Sequence, residues 1–180
     1  VSALVEHLAR QERAVASKIG AGLDVAKAHD LNRWVNELSA DVGASRDAST
    51  QVMELLHSDI TKAVGPIQDR AGRASAVHAI YGFYVEKARH DGLSTAQQTG
   101  KHMVYLLHDA NSVLLYVGIT DRGPVRLVEH YRHKPWFSQV CRVEFERYET
   151  RTASEAREKS LITKRAPLHN IQHNHGRQVA

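Results

Sequence analysis

The chain has 180 residues, 42% of them hydrophobic, which is enough for one ordinary domain or two small ones and normal for a soluble globular protein. No apolar run approaches the ~18–20 residues that span a bilayer, and Val1 to Ile19 carries charges throughout, unlike a secretory signal. Cys141 is the only cysteine, which excludes an internal disulfide and makes a reducing cytoplasm the simplest compartment.

The formal net charge of +4 is unevenly spread. Residues 1–98 hold 11 Lys+Arg and 12 Asp+Glu, a balance of −1, whereas residues 99–180 hold 13 and 8, a balance of +5. A modest positive field on the second half suits a polyanion met through phosphate contacts. Charge alone does not single out nucleic acid.

Residues 1–97 read as helix almost throughout. Leu4, Leu8, Val15 and Ile19 recur near helical spacing, and Gly20-Ala21-Gly22 supplies a stop. A second helix fits Leu23 to Asp41, with Leu31, Trp34, Val35 and Leu38 on one stripe, broken by Gly43-Ala44-Ser45. A third fits Asp47 to Val64, capped by Ser49 or Thr50, with Val52, Leu55, Leu56 and Ile60 as its apolar face. A fourth fits Pro66 to His90, and Asp91 to Gly100 makes a polar linker. Each stripe is partial, so the helices must pack on each other, on the second half or on a second copy; a helical hairpin or dimerising bundle is expected. His29 and His57 read as solvated helix positions, too scattered for a metal site.

Beyond Gly100 the pattern changes. His102 to Leu107 and Val113 to Ile119 are short β-favouring runs joined by Asp109-Ala110-Asn111-Ser112, which reads as a hairpin. A helix fits Arg126 to Tyr131 after Gly123-Pro124, and Val140 to Tyr148 alternates at period two, as a half-buried strand does. Thr152 or Ser154 can cap a helix running through Glu158 to about Lys164. The order β-β-α-β-α with antiparallel strands predicts a small α+β domain behind the helical region.

Met103-Val104-Tyr105 and Tyr116-Val117-Gly118 lie on the two hairpin strands, their tyrosines eleven residues apart. Arg126 follows ten residues after Tyr116, and His130 one helical turn later. Glu158, Leu161-Ile162, Pro167 and Asn170 close the set. In this order and spacing, about residues 102–173 resemble the GIY-YIG nuclease family; Met103 stands where the family has its first glycine. The resemblance says nothing about residues 1–97. It implies a three-stranded antiparallel sheet flanked by helices, a Mg²⁺-dependent DNA endonuclease activity with Mn²⁺ as a substitute ion, and Tyr105, Tyr116, Arg126, His130, Glu158 and Asn170 as site residues. Tyr105 would take the base role and Asn170 would brace the site.

The chemistry of the residues agrees. Phosphodiester hydrolysis needs an activated water, a cation on the phosphate and help for the departing oxygen. One carboxylate holds Mg²⁺ when water and phosphate fill its other positions, and spacing favours Glu158 over Glu155 one turn earlier. Arg126 suits phosphate oxygens. Tyr105, a poor base at an unperturbed pKa of about 10, needs His130 or a cation beside it. Thr120 and Arg122, in the loop after the second motif, and Lys134 and Trp136, after His130, are candidate DNA contacts, the latter two through phosphates or base stacking. His169, His173 and His175 have a spacing that fits zinc poorly and read as a polar tail.

These features predict a divalent-metal-dependent endonuclease, with residues 1–97 as a dimerisation or partner-binding region. Two other readings stand beside it: a non-catalytic DNA-binding or partner-docking module on the same fold, and a helical scaffold with a structural C-terminal domain. In those readings the tyrosines are ordinary strand aromatics, and Arg126 and Glu158 form a surface ion pair.

Overall fold

The computed structural model describes residues 3–91 and 102–172. Five helices come first: α1 (Ala3–Gly20), α2 (Val25–Ala28), α3 (Leu31–Val42), α4 (Arg46–Val64) and α5 (Arg70–Asp91). Strands β1 (His102–His108) and β2 (Leu114–Thr120) follow, then α6 (Pro124–His133), a 3₁₀ turn (Pro135–Gln139), β3 (Arg142–Tyr148) and α7 (Arg151–Arg165). The class is α+β, as expected. The three strands form one antiparallel sheet in the order β2-β1-β3, so β1 is central and β2 is an edge. Among the described residues no helix is long and apolar enough to cross a membrane.

Local chemistry sets the element ends. Gly22 (φ 101°) and Gly43 (φ 64°) sit in the left-handed region after α1 and α3, where glycine avoids the Cβ penalty. Several boundaries differ from the sequence reading. The second helix is split, because the Asp24 and Asp30 side chains each accept a backbone N–H and cap separate segments. Ser45, not Ser49 or Thr50, caps α4; Ser49 instead accepts from the Ser39 hydroxyl at 2.9 Å, and Thr50 bonds back to the Arg46 carbonyl. Thr150, not Thr152 or Ser154, caps α7. α5 starts at Arg70 rather than Pro66, with the Asp69 carboxylate accepting from the Gly72 N–H at 2.6 Å. Asp91, assigned to the linker, closes α5, and the rest of the expected linker, residues 92–100, lies outside the described residues.

The helical region has a core of its own. Leu8, Val15, Ile19, Trp34, Leu38, Met53, Leu56, Ile60, Val77, Ile80 and Tyr81 are buried in one cluster contributed by α1, α3, α4 and α5. Expecting a dimer because these helices lacked a private core therefore loses its ground. Leu55, assigned to the apolar face, is 42% exposed; Met53 takes the buried position. His29 and His57, read as scattered, meet at 3.1 Å between their Nδ1 atoms.

The sheet carries a cluster on each face. Met103, Tyr105 and Leu107 of β1 pack with Leu127, Phe137, Val143 and Phe145, while Val104 and Leu106 pack with Leu161 and Ile162 of α7. Helix α5 belongs to both halves: Ala79 joins the sheet cluster, Phe83 packs edge-on against Phe145 at 5.9 Å, and a Cβ on Gly82 would stand 3.0 Å from Val143.

The His29 imidazole is pulled down to about 4 by burial and then by the adjacent His57. Its folded pKa lies below its unfolded value of about 6.5, so the unfolded chain binds the proton first as pH falls. This contribution is complete above pH ~6.5 and is lost between about 6.5 and 4. Depressed carboxylates such as Asp41 act only below their ordinary value. Urea unfolding should show stability falling across that window, with His29 supplying at most about 3 kcal/mol of the fall and the buried His130, lowered to the same value, adding its own share, so His29→Gln should reduce the slope without abolishing it.

Candidate functional site

The site residues come from both faces of the sheet and meet at the β2 edge. Tyr105, in the central strand, is paired across the ladder with Gly118 of β2 and with Phe145 of β3. Its ring lies directly over Gly118: a Cβ there would overlap the Tyr105 hydroxyl and stand 2.8 Å from the Tyr116 ring. Gly118 is thus required by close approach, and it lets the phenol reach His130 on α6. The Tyr105 hydroxyl and His130 Nε2 are hydrogen-bonded at 2.6 Å, and the tautomer of the imidazole sets which of the two donates.

Burial sets the ionisation of this group. Tyr105 is 1% exposed. Desolvation, then Tyr116, drive its pKa well above the ordinary phenol value, and the Arg126 guanidinium hydrogen-bonded to it pulls the other way. His130 is lowered to about 4 by burial and then by Arg126 and Lys134, so it is neutral at pH 7. Tyr116 is half-buried, and burial followed by Glu158 raises it. Of the two phenols it is the one that lines the groove.

That groove, about 330 Å³, is lined by Tyr116, Lys134, Glu158, Ile162, His169, Asn170, Ile171 and Gln172. Glu158 is half-buried on α7, its pKa raised by desolvation and then by Glu155. Among the described residues it has no hydrogen bond and no ion pair. Glu155, by contrast, is exposed and paired with Arg151 at 2.7 Å. The surface pair that the non-catalytic readings give Arg126 and Glu158 does not form: Arg126 pairs with Glu129 at 2.9 Å.

Asn170 binds the β2 edge as a strand would. Its Oδ1 accepts from Val117 N–H and its Nδ2 donates to Val117 carbonyl, both at 2.8 Å. The Leu168 and His169 N–H groups donate to the Leu114 and Leu115 carbonyls at 3.1 and 2.8 Å. These bonds tie the closing segment to β2. His169 stacks on Trp136 at 4.6 Å and 7°, and Trp136 lies 5.5 Å from Tyr116, so Trp136 is a wall of the site with partners on both sides. His173 and His175 lie outside the described residues.

The candidate DNA contacts are spread. Lys134 is exposed on the groove. Thr120 is buried, its hydroxyl accepting from the Arg122 N–H at 3.0 Å. The Arg122 guanidinium holds Glu129 with two bonds of 2.8 and 3.0 Å. Sequence reasoning passed over Glu129, which clamps both arginines; its place three residues after Arg126 was a readable helical signal, whereas Arg122 reaches it from the loop before α6. Among the described residues no group of three or more His, Cys, Asp or Glu could hold a metal ion. A single carboxylate with open positions suits Mg²⁺ or Mn²⁺, which take water and phosphate oxygens, better than zinc, which takes a closed set of protein ligands.

Comparison with protein-family models, curated proteins and solved structures finds no match to this chain.

Gly118→Ala should cost about 1–3 kcal/mol through overpacking against Tyr105. A thermal melt should read this as about 2–4 °C lost per kcal/mol. An unchanged melting temperature would show that the phenol has room to move.

Proposed function

We propose that the chain is a divalent-metal-dependent DNA endonuclease that hydrolyses phosphodiesters by direct attack of water, on the kind of domain the GIY-YIG resemblance implies. The observation that carries this reading is Glu158, a half-buried carboxylate without a hydrogen bond or ion pair among the described residues, set in a groove beside Tyr116. Such a group repels phosphate and gains nothing from its partial desolvation unless a cation joins it. Glu158 would hold Mg²⁺ or Mn²⁺, which when bound would acidify a coordinated water and offset phosphate charge.

The chain's own residues would then divide the work. Arg126, half-buried beside both tyrosines, binds a phosphate oxygen and neutralises developing charge. Tyr116 faces the groove and orients water or phosphate. Tyr105 lies behind it as the proton carrier, taking a proton as it passes its own to His130 Nε2. The low pKa of His130 keeps that acceptor free at neutral pH. Asn170 holds β2 in place, and the basic second half supplies general attraction for the polyanion.

A second reading, a non-catalytic DNA-binding or partner-docking module, is favoured by the burial of Tyr105 and by the engagement of Arg122 and Arg126 with Glu129. Supercoiled plasmid separates the two. With Mg²⁺ or Mn²⁺ the wild type should nick it, and EDTA should stop cleavage. Glu158→Ala should lower the rate at least about 100-fold, while Glu155→Ala should cut at near the wild-type rate. Salt-dependent binding without cleavage under either metal would favour the module.

A further inference from the structure

Three hollows join on the surface around Glu158. The first, about 160 Å³, lies between β2, the start of α6 and the start of α7 and is lined by Arg122, Arg126 and Arg151 with His102, Thr120 and Asp121 among its other walls. It shares Ile119 with a second hollow of about 470 Å³, which contains Glu155, Glu158 and Lys159. That one shares Glu158 with the third, the groove holding Tyr116 and Lys134. The three hollows are thus neighbours, with three arginines lining the first, the half-buried carboxylate lining the second and third, and Lys134 lining the third.

We infer that the hollow lined by Arg122 and Arg151 is a second phosphate subsite, which receives the phosphate next to the one at Glu158, with Arg126 shared between the two phosphates and Arg151 as the specific new contact. This inference rests on the endonuclease reading. The chemistry is that of a polynucleotide strand, with phosphates repeating along a basic track, rather than of a single nucleotide. Two of the arginines already converge on one anion, since the Glu129 carboxylate accepts from Arg122 at 2.8 and 3.0 Å and from Arg126 at 2.9 Å. Glu129 does not line the hollow, so a phosphate there would compete with it for forks already spaced for one bridging anion. Arg151 comes from a separate element and is 62% exposed, with Glu155 at 2.7 Å as its present partner. A phosphate in the hollow would draw it inward in exchange for a surface pair of small value. Asp121 is the opposing carboxylate in the lining, against three cations.

The test uses the full chain, Arg151→Gln, and Glu155→Gln as a control that removes the same ion pair but keeps the arginine. Binding of a 20-base-pair DNA duplex is followed by fluorescence anisotropy against salt concentration in EDTA. Metal-dependent cleavage is then measured on that duplex and on bis-p-nitrophenyl phosphate, a diester too small to reach the hollow. Arg151→Gln should reduce the salt slope of log K by about 1 and raise KM for the duplex several-fold. It should leave kcat and hydrolysis of the small diester unchanged, and Glu155→Gln should bind at least as tightly as wild type. An unchanged salt slope and KM in Arg151→Gln, with wild-type cleavage intact, overturns the subsite and leaves the nuclease standing. Weakened binding in Arg151→Gln, with no cleavage by any protein, supports the subsite and removes the nuclease. No binding by the wild type overturns both.

Discussion

Helix α5 is the constraint on which the molecule depends, because it must be apolar on two sides at once. One side completes the helical core through Val77, Ile80, Tyr81 and Tyr84. The other meets the sheet at Gly82, where the Val143 backbone and side chain come so near that only hydrogen fits comfortably. From that contact the positions of the site residues follow. Phe83 packs on Phe145, which is the ladder partner of Tyr105. A Cβ on Gly123 would stand 2.8 Å from the ring of the same Phe83, and Gly123 begins the helix carrying Arg126 and His130. The helical region thus sets both the strand and the helix whose side chains meet at the Tyr105–His130 bond.

Burial then separates groups that in water would behave alike. Two phenols are pushed upward, one strongly, and an imidazole is pushed down to about 4. Each shift favours the neutral form, as desolvation requires. The Arg126 guanidinium, in direct contact with this cluster, opposes the shift on both tyrosines. Glu158 approaches from the opposite face of the sheet, on a helix fixed by the Arg157–Glu146 pair at 2.7 and 2.8 Å and by Leu161 and Ile162 beneath it. The sheet edge is therefore where an acid on one layer and proton-carrying groups on the other come within electrostatic reach.

Much of this was legible in the sequence where the signal is local. The hairpin turn was readable from Asp109, whose carboxylate accepts from the Asn111 and Val113 N–H groups. The α1 stripe of Leu4, Leu8, Val15 and Ile19 is buried as its period implies. Cap positions were less legible, since Ser45, Ser49 and Thr50 all have the right chemistry and backbone geometry decides among them. Contacts across long separations were not legible at all. His29 and His57 are 28 positions apart, and their meeting depends on how α4 lies against the short α2. The candidate site falls between these cases: the family resemblance implied Tyr105, Tyr116, Arg126, His130, Glu158 and Asn170, but which phenol is enclosed and which anion holds Arg126 depend on packing.

The pairing of Asn170 with Val117 has a consequence for how the protein behaves among its own copies. An edge strand offers unpaired N–H and C=O groups to any extended segment that approaches. Here the segment from Leu168 to Asn170 takes up positions along β2, with the carboxamide standing in for a peptide group. The same few residues that shape one wall of the groove also deny that edge to strangers. A chain cut short before Leu168 would lose a groove wall and at the same stroke acquire a template for sheet-to-sheet association.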